Sequence, residues 1–121
     1  MQYKRFEELE IWQLARILVS DIYKVTLSGK FSKDFALRDQ MRRCAVSVMS
    51  NVAEGFERHT NKEFINFLYI AKGSCGEFRS QLYVALDCGY ISNEEFEIYN
   101  ESCQTISKSI GGFIKYLADN S

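Results

Sequence analysis

The chain has no proline among its 121 residues. Proline is the strongest breaker of helix interiors, because it lacks the amide proton and its ring clashes with the preceding turn. Its absence favours an all-helical chain. Histidine is almost missing as well, with His59 standing alone beside a turn. A metal centre needs close ligand pairs, usually including histidine. A di-metal bundle would also want inward Glu-x-x-His pairs. Neither pattern occurs, so no metal and no cofactor are expected. Cys44, Cys75, Cys88 and Cys103 are widely spaced with no C-x-x-C. They are expected as buried small hydrophobes in a reducing cytoplasm, not as a disulfide framework. No segment approaches the ~20 uninterrupted apolar residues of a membrane span. Met1 to Glu10 mixes Lys4 and Arg5 with glutamates and has no apolar signal core. The expectation is a cytoplasmic protein with no membrane role. The formal net charge of -1 is not the strongly basic balance of a nucleic-acid-binding domain.

Charge is nevertheless unevenly placed. Residues 1–60 hold ten Lys/Arg against eight Asp/Glu, and residues 61–121 hold five against eight. Apolar residues make up 46%. That suits a single domain over 1–121, large enough to bury its own core.

Glycines and caps punctuate four helices, at roughly 8–28, 33–55, 61–88 and 93–118. Gly29, Gly55 and Gly89 each follow an apolar run, where a left-handed C-terminal residue is wanted. Thr60 with Glu63 and Ser92 with Glu95 are capping boxes, and Ser32 can cap the second helix. The seams alternate steps of three and four. Helix one places Trp12, Ala15, Val19, Ile22 and Thr26 on a stripe; helix two places Met41, Ala45, Val48 and Val52. Helix three runs Phe64, Leu68, Ala71, Cys75, Phe78, Leu82, Ala85. Helix four runs Phe96, Tyr99, Cys103, Ile106, Ile110, Phe113, Leu117. This is the seam of near-parallel packing, and short turns imply an all-α, antiparallel up-down-up-down four-helix bundle. The interior glycines Gly73, Gly76, Gly111 and Gly112 cost about 1 kcal/mol each against alanine. Close approach of a neighbouring helix at Gly73 and Gly76 is the expected return.

Two helices carry a second apolar stripe. Helix one adds Ile11, Leu14, Leu18 and Val25; helix two adds Val46, Met49, Ala53 and Phe56. Large exposed apolar surface marks interfaces, so a homo-oligomer is expected, with Ile11, Leu14, Leu18, Val46, Met49 and Phe56 at its contacts. Between the stripes of helix two run Gln40, Arg43, Ser47, Ser50, Asn51 and Glu54. No His or Lys is spaced to activate either serine, so no catalytic residue and no small-molecule substrate are expected. The polar stripe lines a subunit interface or a wet channel instead. Arg43 and Glu77 are expected to pair across neighbouring helices. Arg38, Arg42 and Arg43, with Arg58 and Lys62, are either phosphate contacts or a solvated, salt-bridged face. Tyr69, Tyr83 and Tyr90 overflow the seams, as interface anchors or as platforms for bases.

The ordered pattern runs Phe6-x-x-Leu9-x-x-Trp12-x-x-Ala15, then Gln40-x-Arg42-Arg43-Cys-Ala45-Val-Ser47-Val-x-Ser50-Asn51-x-Ala53-Glu54-Gly55. It continues through Phe64-x-x-Phe67-Leu68-x-x-Ala71-x-Gly73-Ser74-x-x-Glu77 to Gly89-Tyr90. It resembles the bacterial four-helix-bundle proteins encoded in intervening sequences of large-subunit ribosomal RNA genes, often labelled ribosomal-protein-like. Met49 and Ala36 depart from that family's usual residues. The resemblance implies an up-and-down bundle and a ring-like homopentamer. A related bundle, the accessory protein of diversity-generating retroelements, pairs with a reverse transcriptase and binds nucleic acid. The function implied is a non-enzymatic oligomeric scaffold associating with RNA or an RNA-processing partner. The alternative is a protein–protein adaptor with no nucleic-acid affinity.

Overall fold

The computed structural model describes residues 2–120. Four helices carry the fold: α1 (Glu10–Val25), α2 (Phe35–Phe56), α3 (Asn61–Asp87) and α4 (Asn93–Asp119). Short 3-10 turns at Phe6–Glu8 and Gly29–Lys33 precede α1 and α2. No strand occurs among the described residues. Each helix packs on the next, and α1 also meets α4. Contacts run end to start: Gly55, late in α2, abuts Phe64 and Phe67, early in α3. Further back on α2, Ser47 meets Ser74 and Cys44 meets Glu77. That progression is the register of antiparallel neighbours.

Local chemistry sets the helix ends. Thr60 and Ser92 accept the Glu63 and Glu95 amides at 3.1 and 3.0 Å, and Glu95 returns the favour to the Ser92 amide. Helix α2 starts two residues later than the sequence suggests. Asp34, not Ser32, is its cap: Oδ1 accepts from the Leu37 amide at 3.1 Å, while Ser32 sits in the preceding 3-10 turn. The second Asp34 oxygen accepts from Tyr90 Oη at 2.9 Å, and the Tyr90 ring stacks on Phe31 at 5.2 Å. Tyr90 thus ties the α3–α4 connection to the α1–α2 connection and is not a free anchor. Gly29 and Gly89 adopt φ of 60° and 72°, the left-handed turns expected of them.

The seam of α3 is buried at all seven expected positions, and that of α2 at all four. Helix α1 is rotated from expectation. Its buried residues are Ile11, Ala15, Leu18 and Ile22, whereas Trp12 and Val19 flank the core. The two stripes share the same edge of the helix, so periodicity alone did not separate them. Ile11 and Leu18, expected at an oligomer contact, are therefore core residues at 4% and 1% exposure. On α4, Ile114 is buried where Phe113 was expected, and Phe113 and Tyr99 pack at the flank.

The glycines exchange roles. Gly55 is not a terminal glycine; α2 continues through it. A Cβ there would lie 2.7 Å from Phe64 Cδ1, 2.8 Å from Phe67 Cβ and 3.2 Å from the Phe64 carbonyl oxygen. Only glycine lets α2 and α3 come this close. Gly73 and Gly76 are exposed, and a Cβ at either meets nothing within 4 Å. The expected close approach at that pair is absent within the chain.

These contrasts predict opposite signs. Gly55→Ala overpacks the α2–α3 crossing and should destabilise by about 1–3 kcal/mol, outweighing the gain in helix propensity. Gly76→Ala should stabilise by up to about 1 kcal/mol, because only propensity changes. Paired thermal melts check this: the Gly55 variant melts lower than the parent and the Gly76 variant melts higher.

Candidate functional site

Within the polar stripe of α2, Ser47 turns toward α3 while Gln40, Arg43, Ser50 and Glu54 are exposed. Ser47 Oγ and Ser74 Oγ are 3.0 Å apart. Asn51 donates to the Ser47 carbonyl at 2.8 Å and to its hydroxyl at 3.0 Å. Cys44 Sγ donates to the Ser74 carbonyl oxygen at 3.2 Å and to Glu77 Oε1 at 3.1 Å. The expected Arg43–Glu77 pair does not form. The Cys44 thiol engages the carboxylate, while Arg43 points outward and makes no ion pair among the described residues. This seam pairs polar groups across α2 and α3 within one chain. Burial, reinforced by the bond to Glu77, pushes the Cys44 thiol up to about 12. Burial lifts Cys75 to about 11 against the opposing pull of Lys72, and it raises Cys103 further still. Protonated thiols are poor nucleophiles and poor metal ligands. No group of three or more His, Cys, Asp or Glu side chains is placed to hold a metal among the described residues. Cys88 departs from expectation in being exposed.

The five cations singled out in the sequence do not gather into one surface. Arg42 turns inward: its Nε donates to Thr26 Oγ1 at 2.8 Å, and the guanidinium lies 4.6 Å over Tyr23. Thr26 is a fully buried polar residue, and its hydroxyl also donates to the Ile22 carbonyl at 2.6 Å. Arg38 is bonded to Asp39 and to the Ser32 carbonyl oxygen, both at 3.0 Å, and covers Phe35. Arg58 pairs with Glu54 at 2.9 Å and covers Phe67. Arg43 and Lys62 are exposed. Arg38 and Arg58 lie near opposite ends of α2, twenty residues or about 30 Å apart at 1.5 Å per residue.

Of the expected oligomer contacts, Leu14, Val46, Met49 and Phe56 are half-buried. Leu14 joins Ile17, Leu18, Ile98 and Ile106 in an apolar groove of about 330 Å³ between α1 and α4. That pair is the most sparsely packed of the four neighbouring pairs. Ile17 and Ile98 rim the groove at 58% and 53% exposure. Sequence reading missed both. The available signal was an isoleucine off the seam on each helix, where a polar residue serves better. A second groove, of about 390 Å³ between α3 and α4, is lined by Lys72, Gly76, Arg79, Gln104, Ser107 and Lys108.

Fold and surface together define a four-helix bundle whose distinctive features lie on its outer grooves. The chain belongs to the 23S rRNA-intervening sequence protein family, whose profile matches residues 7–112. A crystal structure at 1.70 Å from Bacteroides thetaiotaomicron, described as a protein of unknown function from the S23 ribosomal protein family, has the same fold. Its TM-score is 0.81 at 24% identity, over 87% of this chain and 95% of that one. No curated protein matches the chain. Neither description names a reaction. No helix among the described residues is long and apolar enough to cross a membrane.

The thiol environments generate a test. A thiol-exchange reagent should modify Cys88 in the folded protein and reach Cys44, Cys75 and Cys103 only after denaturation. Stability should also depend on pH with a definite sign. Unfolded thiols ionise near the ordinary 9.0, before the native ones at about 11 and about 12. Their contribution is complete below about pH 9 and is lost as pH rises toward the native values. Urea melts at about pH 8 and about pH 10 should show the fall, and Cys75→Ala should reduce it.

Proposed function

We propose that this protein is a non-enzymatic, self-associating helical scaffold. The observation that carries the reading is the α1–α4 groove, where Ile17 and Ile98 stand more than half exposed beside Leu14. Burying such side chains against a second copy contributes roughly 25 cal/mol per Å² of apolar surface. Other large apolar side chains also remain open, including Leu27 at 70% and Phe35 at 63%, which gives an assembly more than one surface to cover. A ring-like homopentamer is the arrangement that the family resemblance suggests. Work in the cytoplasm fits four unpaired cysteines, three of them buried. The family description, which ties these proteins to an rRNA intervening sequence, supports RNA or an RNA-processing protein as the partner class. Exposed Arg43 and Lys62 are the members of the sequence-derived cluster free to reach such a partner. The competing reading, a protein adaptor without nucleic-acid affinity, uses the same apolar groove for a different chain.

Light scattering on a sizing column separates these outcomes. The parent should elute at a multiple of 14.0 kDa. Ile17→Glu with Ile98→Glu should reduce the particle toward a single chain and keep the helical circular dichroism, since both positions are exposed. A parent that runs as one chain at micromolar concentration would remove self-association and put the adaptor reading in front.

A further inference from the structure

The second half of the chain is the acidic half, yet it gathers three cations in one groove. It has five Lys/Arg: Lys62, Lys72, Arg79, Lys108 and Lys115. Three of them, Lys72 and Arg79 from α3 and Lys108 from α4, line one groove of about 390 Å³ with Gln104 and Ser107. No carboxylate lines it. Lys72 and Lys108 make no ion pair among the described residues. Arg79 Nε donates to Asn100 Oδ1 at 2.9 Å, which orients the guanidinium without neutralising it. Unpaired like charges repel, so gathering three in one groove is a cost that an anion relieves.

One glycine leaves the groove open. Gly76 lines the groove, and a Cβ there would meet nothing within 4 Å. A Cβ at Gly111 on α4 would lie 3.6 Å from Lys72 Cε, so the lysine stem lies across the α3–α4 seam over a bare backbone. The helix-propensity cost of Gly76 has no steric reason inside the chain. An open groove between two helices admits a ligand that runs past both ends. Lys72 and Arg79 stand two turns apart, about 10.5 Å at 1.5 Å per residue. Lys115 continues the α4 side, exposed and two turns beyond Lys108. Tyr69, 58% exposed, precedes Lys72 by three residues; Tyr83, 50% exposed, follows Arg79 by four and already packs edge-on against Phe96 at 4.8 Å. Those spacings put each ring on the same side of α3 as its cation.

We infer that the α3–α4 groove binds a single-stranded polynucleotide, with Lys72, Arg79 and Lys108 on its phosphates and Tyr69 as a stacking face for its bases. A cationic groove and a flanking aromatic ring together are what a single strand asks for. A duplex keeps its base faces stacked inside and offers none to tyrosine. Contacts to phosphate and to ring faces carry little sequence preference. This assignment does not depend on self-association.

Fluorescence anisotropy with a labelled oligouridylate, across a salt series, is the test. The parent protein should bind at low salt, with log affinity falling against log salt by about 0.7 for each phosphate contact. Lys72→Gln with Lys108→Gln should weaken binding at least tenfold and flatten the slope by about 1.4. Gly76→Glu should abolish binding, and melts should show all variants folded, because each position is exposed. Lys24→Gln with Lys30→Gln, exposed and outside the groove, should leave affinity unchanged. Tyr69→Ala should cost affinity at every salt concentration without changing the slope. A labelled oligothymidylate run in parallel shows whether the ribose hydroxyl contributes. Absence of low-salt binding by the parent, or full binding by the Lys72/Lys108 variant, overturns the assignment. Equal competition by heparin with no effect of Tyr69→Ala also overturns it, reducing the groove to a general polyanion site.

Discussion

The approach of α2 to α3 at Gly55 is the constraint on which the rest of the bundle depends. With no side chain at that position, the backbone of α2 rests directly against Phe64 and Phe67. The connection from Phe56 to Asn61 is short, so this contact sets how far one helix can slide along the other. From it the register runs back without slippage. Each step toward the start of α2 meets a step toward the end of α3, through Ser47 with Ser74 and Cys44 with Glu77. The same end of the bundle is closed by rings: Phe56 meets Phe64 edge-on at 6.1 Å, Phe64 meets Phe113 at 5.5 Å, and Phe113 meets Tyr3 at 6.4 Å. One missing methyl group thereby positions parts of α2, α3, α4 and the N-terminal segment.

Polar groups inside the bundle are few and mostly paired within the chain, with Arg42 Nη2 and Gln81 Oε1 buried without a hydrogen-bond partner. An unpaired buried donor costs about 1–3 kcal/mol, so each such group tends to have a partner. Thr26 does this twice, donating to Ile22 and accepting from Arg42. The arginine is thereby spent on joining α1 to α2. The thiols obey a related logic. Cysteine at 44, 75 and 103 is small enough to let three helices converge, and burial keeps the sulfur protonated. Chemistry that resembles a nucleophile on paper is here packing.

Much of the fold was legible because one long amphipathic pattern has one solution. The α3 seam from Phe64 to Ala85 alternates steps of three and four without a break, and all seven positions are buried. Helix α1 has two adjacent stripes sharing an edge, and hydrophobicity could not say whether Leu18 or Val19 turns inward. Packing against α2 and α4 decides that, and it favours Ile11 and Leu18. The glycines failed for a related reason. A glycine after an apolar run is either a terminus or a contact, and only the actual end of α2, beyond Gly55, distinguishes them. Cations were sought where they cluster in the sequence, around Arg38, Arg42 and Arg43. Two of those carry intrachain bonds that linear reading cannot foresee. The groove cations are separated by up to 36 residues, from Lys72 to Lys108, and become neighbours only when α3 packs on α4.

Helix α4 separates two unlike surfaces. Its side toward α1 carries Ile98 and Ile106 among Glu101, Ser102 and Thr105. Its side toward α3 is cationic, with Lys108 beside Lys72 and Arg79. Glu94 and Glu95 stand in the first turn of α4, where they favour the positive end of the helix dipole, away from Lys108. On the proposed readings the two surfaces need not compete. Assembly through the α1–α4 groove covers apolar side chains and leaves the α3–α4 groove facing outward on every subunit. Three phosphate contacts give one subunit little hold on a strand at physiological salt, because each is a salt-sensitive, counterion-releasing contact. A strand crossing from one subunit's groove to the next binds the second at a high effective concentration. Weak grooves then act together, and the net charge of -1 is no obstacle, because the field that the strand meets is that of the groove.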